Sequence, residues 1–138
     1  MTGARLFVAT LVAAALCACA GSDRPDNAGA LADIDAHRSG VEVVVSGIVT
    51  HVGRTSAGDT GRHKHFDVRI ASGAAEQDIL VADNITVGTA APVHPGDAVI
   101  VKGVLEVDES GSVIHWTHHD PAFRHEAGYV IVNGKKYD

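Results

Sequence analysis

Apolar and polar positions alternate along this chain in short stretches separated by glycine-containing turns, a pattern that predicts β-strands. Residues 41–52 read Val-Glu-Val-Val-Val-Ser-Gly-Ile-Val-Thr-His-Val, a long β-branched run in which Gly47 predicts a bulge or bend. Over residues 64–71, Phe66, Val68 and Ile70 fall on one face and His65, Asp67 and Arg69 on the other. Between these two strands, residues 53–61 have the Gly/Ser/Thr/Asp composition of a loop. Ser72-Gly73 turns the chain into a third strand over 78–85, and residues 86–94 carry no clear period. Pro95-Gly96-Asp97 is a turn before a long fourth strand, 98–107, which has Gly103 inside it. Glu109-Ser110-Gly111 turns again into a fifth strand over 112–119.

Two of these strands, the first and the fourth, are long and interrupted by glycine, and an irregular segment joins the third to the fourth. That layout predicts an all-β domain, a small five-stranded Greek-key barrel of the OB type, with a β-sandwich as the alternative. Beyond the fifth strand, Asp120-Pro121 has the form of a helix start, with Asp at the N-cap and Pro at the first helical position. A short helix is expected from there to Gly128, a suitable residue for its C-terminal end. Residues 129–132, Asn133-Gly134 and residues 135–137 then predict a C-terminal hairpin with a type I′ turn.

The N-terminus has a different character. Arg5 precedes an apolar run from Leu6 to Leu16, shorter than the roughly 20 residues that span a bilayer, so residues 1–18 read as a signal peptide. Leu16-Cys17-Ala18-Cys19 resembles the bacterial lipobox, in which the second cysteine here, Cys19, would be acylated and begin the mature chain. Residues 19–40 are small and polar and read as a flexible tether, with a weak helical signal near Leu31, which leaves 41–138 as the folded domain. The expected location is the cell envelope, anchored in the membrane by lipid and facing the periplasm from the outer membrane where there is one. Cleavage after Ala20 to release a soluble secreted protein is the alternative. The mature part then holds only Cys19, so neither a disulfide framework nor a cysteine metal site is available.

Charge narrows the choice of partners. A net charge of −6 argues against a nucleic-acid partner, despite the local group Arg54, Arg62, Lys64 and Arg69. Nine histidines are the feature that points to chemistry. His63 and His65 share a strand face at ~6.6 Å between Cα atoms, a spacing that suits two ligands of one ion. The stretch from His115 to His125 adds His118 and His119, the acidic Asp120, and the chain's one tryptophan, Trp116. In a straight strand His115 and His119 would lie ~13 Å apart, and His118 would face the other way with Trp116. A shared site therefore requires the Asp120-Pro121 turn to fold His119 or His125 back. Convergence of His63, His65, His115, His118, His119, Asp120 and His125 would suit a transition metal, zinc or copper, or a small acidic ligand. On the structural alternative these imidazoles only satisfy buried backbone groups and Trp116 fills one end of the barrel. No Gly-x-Ser-x-Gly, His-Glu-x-x-His or phosphate-loop motif occurs.

His63 with Phe66, Asn84-Ile85, Gly96-Asp97, the run Ile114-His-Trp-Thr-His-His-Asp-Pro121, His125, Gly128 and Tyr137 together resemble DUF3465, a bacterial family of unknown function. The resemblance implies that Asp83, Asn84 and Trp116 lie beside the ligand. Asp83 stands where the family pattern has histidine, and Gly103-Val104-Leu105-Glu106 replaces a more aromatic Gly-x-Tyr-x-Trp. The expected function is an envelope lipoprotein whose domain binds a metal ion or small ligand through its histidines. A metal-dependent envelope hydrolase of phosphodiester type and a purely structural envelope protein are the alternatives.

Overall fold

The alternating stretches pair in an order that brings the sheet back onto itself. A computed structural model describes residues 23–138. Helix α1 (Asn27–Asp35) precedes β1 (Val41–Val52), β2 (Ser56–Gly58), β3 (Gly61–Ser72), β4 (Ala75–Asn84), β5 (Ala98–Asp108), β6 (Gly111–His115), β7 (Tyr129–Val132) and β8 (Lys135–Tyr137). The ladder runs β1–β3–β4–β6–β5, and β5 pairs again with β1, from Val41↔Leu105 to Ile48↔Ala98. Five strands thus form a closed barrel of OB type, antiparallel except where β4 and β6 run parallel. Pairing of β1 with β5 closes the five-stranded ladder on itself, so it does not split into the two sheets of a sandwich. The β7–β8 hairpin extends from β5, and Asn133 and Gly134 at its turn have φ of 51° and 77°, as a type I′ turn requires. The segment expected as a loop between the first two long strands contains β2, which pairs with β3 through Ser56↔His63.

β1 serves two partners. Its first part pairs with β5 and its last part with β3, and Gly47 belongs to both ladders, opposite Val99 and Ile70. A Cβ at Gly47 would run into the Arg69 carbonyl and lie 2.7 Å from Val68 Cγ1, so only glycine permits this approach. The bulge itself lies three residues further on, because Val49 opposes Val68 whereas His51 opposes Asp67. Inward-facing Val45, Phe66, Val68, Ile70, Ile79, Val81, Val101, Leu105 and Ile114 are all fully buried and fill the interior. Ala91 and Val93, from the irregular segment between β4 and β5, join the same core.

Three expectations change in detail. Residues 27–35, within the stretch that reads as a tether, form α1, whose Ala30, Leu31 and Ile34 pack into the barrel core. Its N-cap is Asp26, which accepts from the Gly29 N–H at 2.9 Å, and the Asn27 side chain bonds the backbone of Ser46 and Ala71. The fifth long strand ends at His115 instead of His119, and residues 120–128 form turns where a helix is expected. Asp120 explains the missing helix: its carboxylate accepts from the N–H groups of Ala122, Arg124 and His125, which closes a tight turn without helical bonds. Phe123 then adopts φ of 53°, which no right-handed helix accommodates. Residues 1–18 and Cys19, the expected signal and acylation site, lie outside the described residues. Among the described residues no helix is long and apolar enough to cross a membrane.

If α1 is part of the barrel core, Leu31→Ala lowers unfolding stability by about 2 kcal/mol in urea titration. A change near zero would mark residues 27–35 as a spacer.

Candidate functional site

Strand alternation divides the barrel wall cleanly at β3, β4 and β6. Phe66, Ile79, Val81 and Ile114 point inward, which turns His63, His65, Ala82, Asn84 and His115 outward. Register sets these side by side: His63 opposes Asn84, His65 opposes Ala82, and the parallel pairing of Val81 with Ile114 brings His115 next to Ala82. The site therefore grows from the outer surface of the barrel, at the end of β3 and β4 remote from the α1 contacts.

Trp116, the first residue after β6, has φ of 58°. A left-handed conformation is rare for a bulky aromatic and costs about 1–3 kcal/mol, so its surroundings must hold it. Its effect is to break the alternation, and the Trp116 ring lies beside the His115 ring at 5.3 Å between centroids. Thr117 then points into the barrel, fully buried, and its hydroxyl donates to Asp83 Oδ1 at 2.8 Å. His118 emerges on the outside again and is buried beneath the turn that follows. That turn returns to the wall through the Gly128 N–H, which donates to the His118 carbonyl at 3.0 Å. A Cβ on Gly128 would strike the Trp116 carbonyl and come within 2.6 Å of the Lys102 carbonyl. His125, on the return, stacks near Trp116 at 4.6 Å and meets His118 edge-on at 5.1 Å.

Between the strand surface and this folded segment lies a cavity of about 220 Å³ lined by Thr60, His63, Ala82, Asn84, His115, Trp116 and His118. A neighbouring cleft of about 300 Å³ shares Thr60, Asn84, Trp116 and His118 and adds Asp120 and Arg124. Asn84 shapes the rim by donating to the Thr60 carbonyl and accepting from the Thr86 and Val87 N–H groups.

The hydrogen bonds of the two covered imidazoles have a common pattern. His118 Nδ1 lies against the His119 carbonyl and His125 Nδ1 lies 2.8 Å from the Glu126 carbonyl. Donation from Nδ1 leaves Nε2 as a lone pair, and both Nε2 atoms are buried with no hydrogen-bond partner. His115 Nε2 is a third such atom, 3.7 Å from Glu106 Oε1. Burial pushes the His115 pKa below the ordinary histidine value, outweighing the pull of Glu106, with His125 and His63 adding to the depression. Asp120 Oδ2 lies 3.8 Å from His125 Nε2, but that carboxylate already accepts backbone N–H groups. Among the described residues no three His, Cys, Asp or Glu side chains form a group that would hold a metal ion unaided.

The other residues marked in the sequence are placed as follows. His65 sits on the same face as His63, ring centroids 6.4 Å apart, but does not line the cavity; its Nδ1 lies 3.3 Å from the Arg54 carbonyl. His63 reaches Thr60 Oγ1 through Nε2 at 3.4 Å. The His119 side chain is exposed, and only its carbonyl takes part. Asp83 faces the barrel interior, not the cavity, whereas its neighbour Asn84 does line it. Thr60 and Ala82 line the cavity without any mark in the sequence, although the partners of His63 and His65 across β3–β4 would have found Asn84 and Ala82.

Lys102 also escapes a reading of the sequence. It points outward from β5 yet is buried, because the N-terminal segment and the 120–128 turn cover it. Its Nζ lies 2.8 Å from Glu126, 3.0 Å from Asp23 and 3.6 Å from Glu42. Burial alone would lower the ammonium pKa, but bonds to Glu126 and Asp23 outweigh it and hold the pKa above the ordinary lysine value.

The chain belongs to the DUF3465 family, described as a protein of unknown function, whose model matches residues 14–138. No curated protein matches the chain.

Burial raises the Asp83 pKa above its ordinary value, against the Thr117 hydroxyl and the Ala91 backbone, which favour the ionised form. A carboxyl raised on folding stabilises fully below its unfolded pKa, and that contribution is lost as pH rises through the folded value. Asp83→Asn cannot ionise and keeps an oxygen for Thr117. Its Tm relative to wild type should therefore rise between about pH 3.5 and pH 7. A Tm difference that is constant across this range would contradict the assignment.

Proposed function

We propose that this DUF3465 protein is a lipid-anchored envelope protein whose barrel binds one zinc or copper ion at His118 and His125. The adjoining cavity then admits a small ligand to the open positions of that ion. The observation that carries the reading is the pair of buried, unpartnered Nε2 atoms on rings 5.1 Å apart. A buried acceptor left without a partner costs about 1–3 kcal/mol, so two together call for a ligand that satisfies both. Donation of each Nδ1 to a backbone carbonyl is the arrangement that orients metal-binding histidines and raises their basicity. At a Zn–N distance of about 2.0–2.1 Å, two imidazoles on one tetrahedral ion have ring centres about 5 Å apart. Nitrogen donors of this kind suit zinc and copper.

Two protein nitrogens leave coordination positions for water or ligand, as at open metal sites. His115, whose pKa burial lowers, and Trp116 wall the cavity beside those positions. A hydrolytic role draws less support. Asp120 is engaged by backbone N–H groups and Asp83 faces inward, so neither is placed as a base at the ion. The envelope location rests on the apolar run and the Leu16-Cys17-Ala18-Cys19 junction.

Metal-stripped protein titrated with zinc or copper sulfate by calorimetry should take up one ion per chain. His118→Ala and His125→Ala should each weaken binding about tenfold or more, as loss of a ligand or its support does. His119→Ala should bind as wild type. At about 100 times Kd the ion should raise unfolding stability by about 2.7 kcal/mol. No uptake by wild type, or equal uptake by the His118/His125 double variant, would overturn the proposal.

A further inference from the structure

We infer that Phe123, at the tip of the 120–128 turn, inserts into the lipid bilayer to which the chain is anchored, and so fixes the orientation of the barrel at the membrane. This rests on the Cys19 anchor proposed above. The chain is fastened to the barrel much earlier than its composition suggests. Asp23 Oδ1 lies 3.0 Å from Lys102 Nζ, and the Asp26 N–H donates to the Val44 carbonyl at 2.8 Å. Only Ala20, Gly21 and Ser22 stand between Asp23 and Cys19. Four residue steps span at most about 14 Å, so the Lys102 face cannot be far from the headgroups.

Phe123 lies in the turn that is fastened to that face. Glu126 bonds the same Lys102 Nζ at 2.8 Å, so the N-terminal segment and the turn are fastened at one atom. Three residue steps place the Phe123 Cα within about 11 Å of the Glu126 Cα. Its exposure is 93%, against 47% for Ile48, the next among the exposed large hydrophobic residues described. The exposure is imposed by structure. The Asp120 carboxylate, accepting three backbone N–H groups, clamps the turn, and Phe123 is held at φ of 53°. A strained aromatic held out in water gains the molecule nothing as a free monomer, whereas an aromatic beside a cation, here Arg124, is what an interfacial segment presents. The anchor supplies high local concentration, so a single inserted ring suffices. A net charge of −6 gives no general attraction to anionic lipid, so insertion should occur on zwitterionic bilayers as well.

The test reconstitutes the full lipidated chain carrying Phe123→Trp into phosphatidylcholine vesicles, with wild type, whose only indole is Trp116, as reference. Mass spectrometry of the same sample establishes whether Cys19 is acylated. The indole introduced at position 123 should be quenched about twofold by lipids brominated near the headgroup boundary, while wild-type emission changes little. Acylated protein without extra quenching would overturn the insertion of Phe123 and leave the anchor intact. Cys19 without lipid would overturn the anchor and this inference together, leaving the metal reading to its own titration.

Discussion

Closure of the barrel by β1 against β5 is the constraint on which the other features rest. It requires β1 to bend from one neighbour to the other, and Gly47 is the point at which that bend becomes sterically possible. Once β5 is committed to β1, β6 has only one free place, between β5 and β4, where it runs parallel to β4. That placement sets His115 on the outer surface beside Ala82, one strand from His63. Residues 52 positions apart thus come near one another because a sheet of this size relieves its edges by closing.

Past β6, a second interaction takes over. Thr117 is drawn inward to Asp83, and this buried bond makes Trp116 and His118 leave the wall on the same outer side, through the left-handed conformation of Trp116. The bond is itself a compromise, since Asp83 Oδ2 remains unpartnered and burial disfavours its charge. Polar groups placed this way specify one geometry more than they add stability. The folded segment would otherwise have several ways to end at the barrel rim, and the position of His118 depends on only one.

Most of the fold was legible because its signals are local. Period-two alternation marked β3, long apolar runs containing Gly47 and Gly103 marked β1 and β5, and Asn133-Gly134 placed the last hairpin at its observed bounds. Alternation also put His63 and His65 on one strand face, and the ~13 Å reach of a straight strand called for the Asp120-Pro121 turn to fold His119 or His125 back; His125 returns beside His118, whereas the His119 side chain stays exposed. Other features depended on partners that a one-dimensional pattern does not contain. α1 is short, and its apolar residues become a core face only against β1, β3 and β4. Asp120-Pro121 carries a helix-start signal, yet the same carboxylate that would cap a helix captures three N–H groups of a turn. A left-handed tryptophan has no sequence mark at all, and it stands between the outward His115 and the inward Thr117, shifting the alternation so that His118 lies outside.

Lys102 joins the stability of the barrel to the geometry of the site. Removing its ammonium would leave Glu42, Glu126 and Asp23 facing one another, and Glu42 is already pushed above the ordinary glutamate range by burial and by hydrogen bonding to Glu126. Asp23 and Glu126 are more than half exposed, so solvent screens each pair and the individual ion pairs contribute modestly. Their importance is geometric. Glu126 follows His125 directly, and its carbonyl receives the His125 Nδ1 donor while its carboxylate holds Lys102. One residue therefore sets both the tautomer of a candidate ligand and the attachment of its turn to β5.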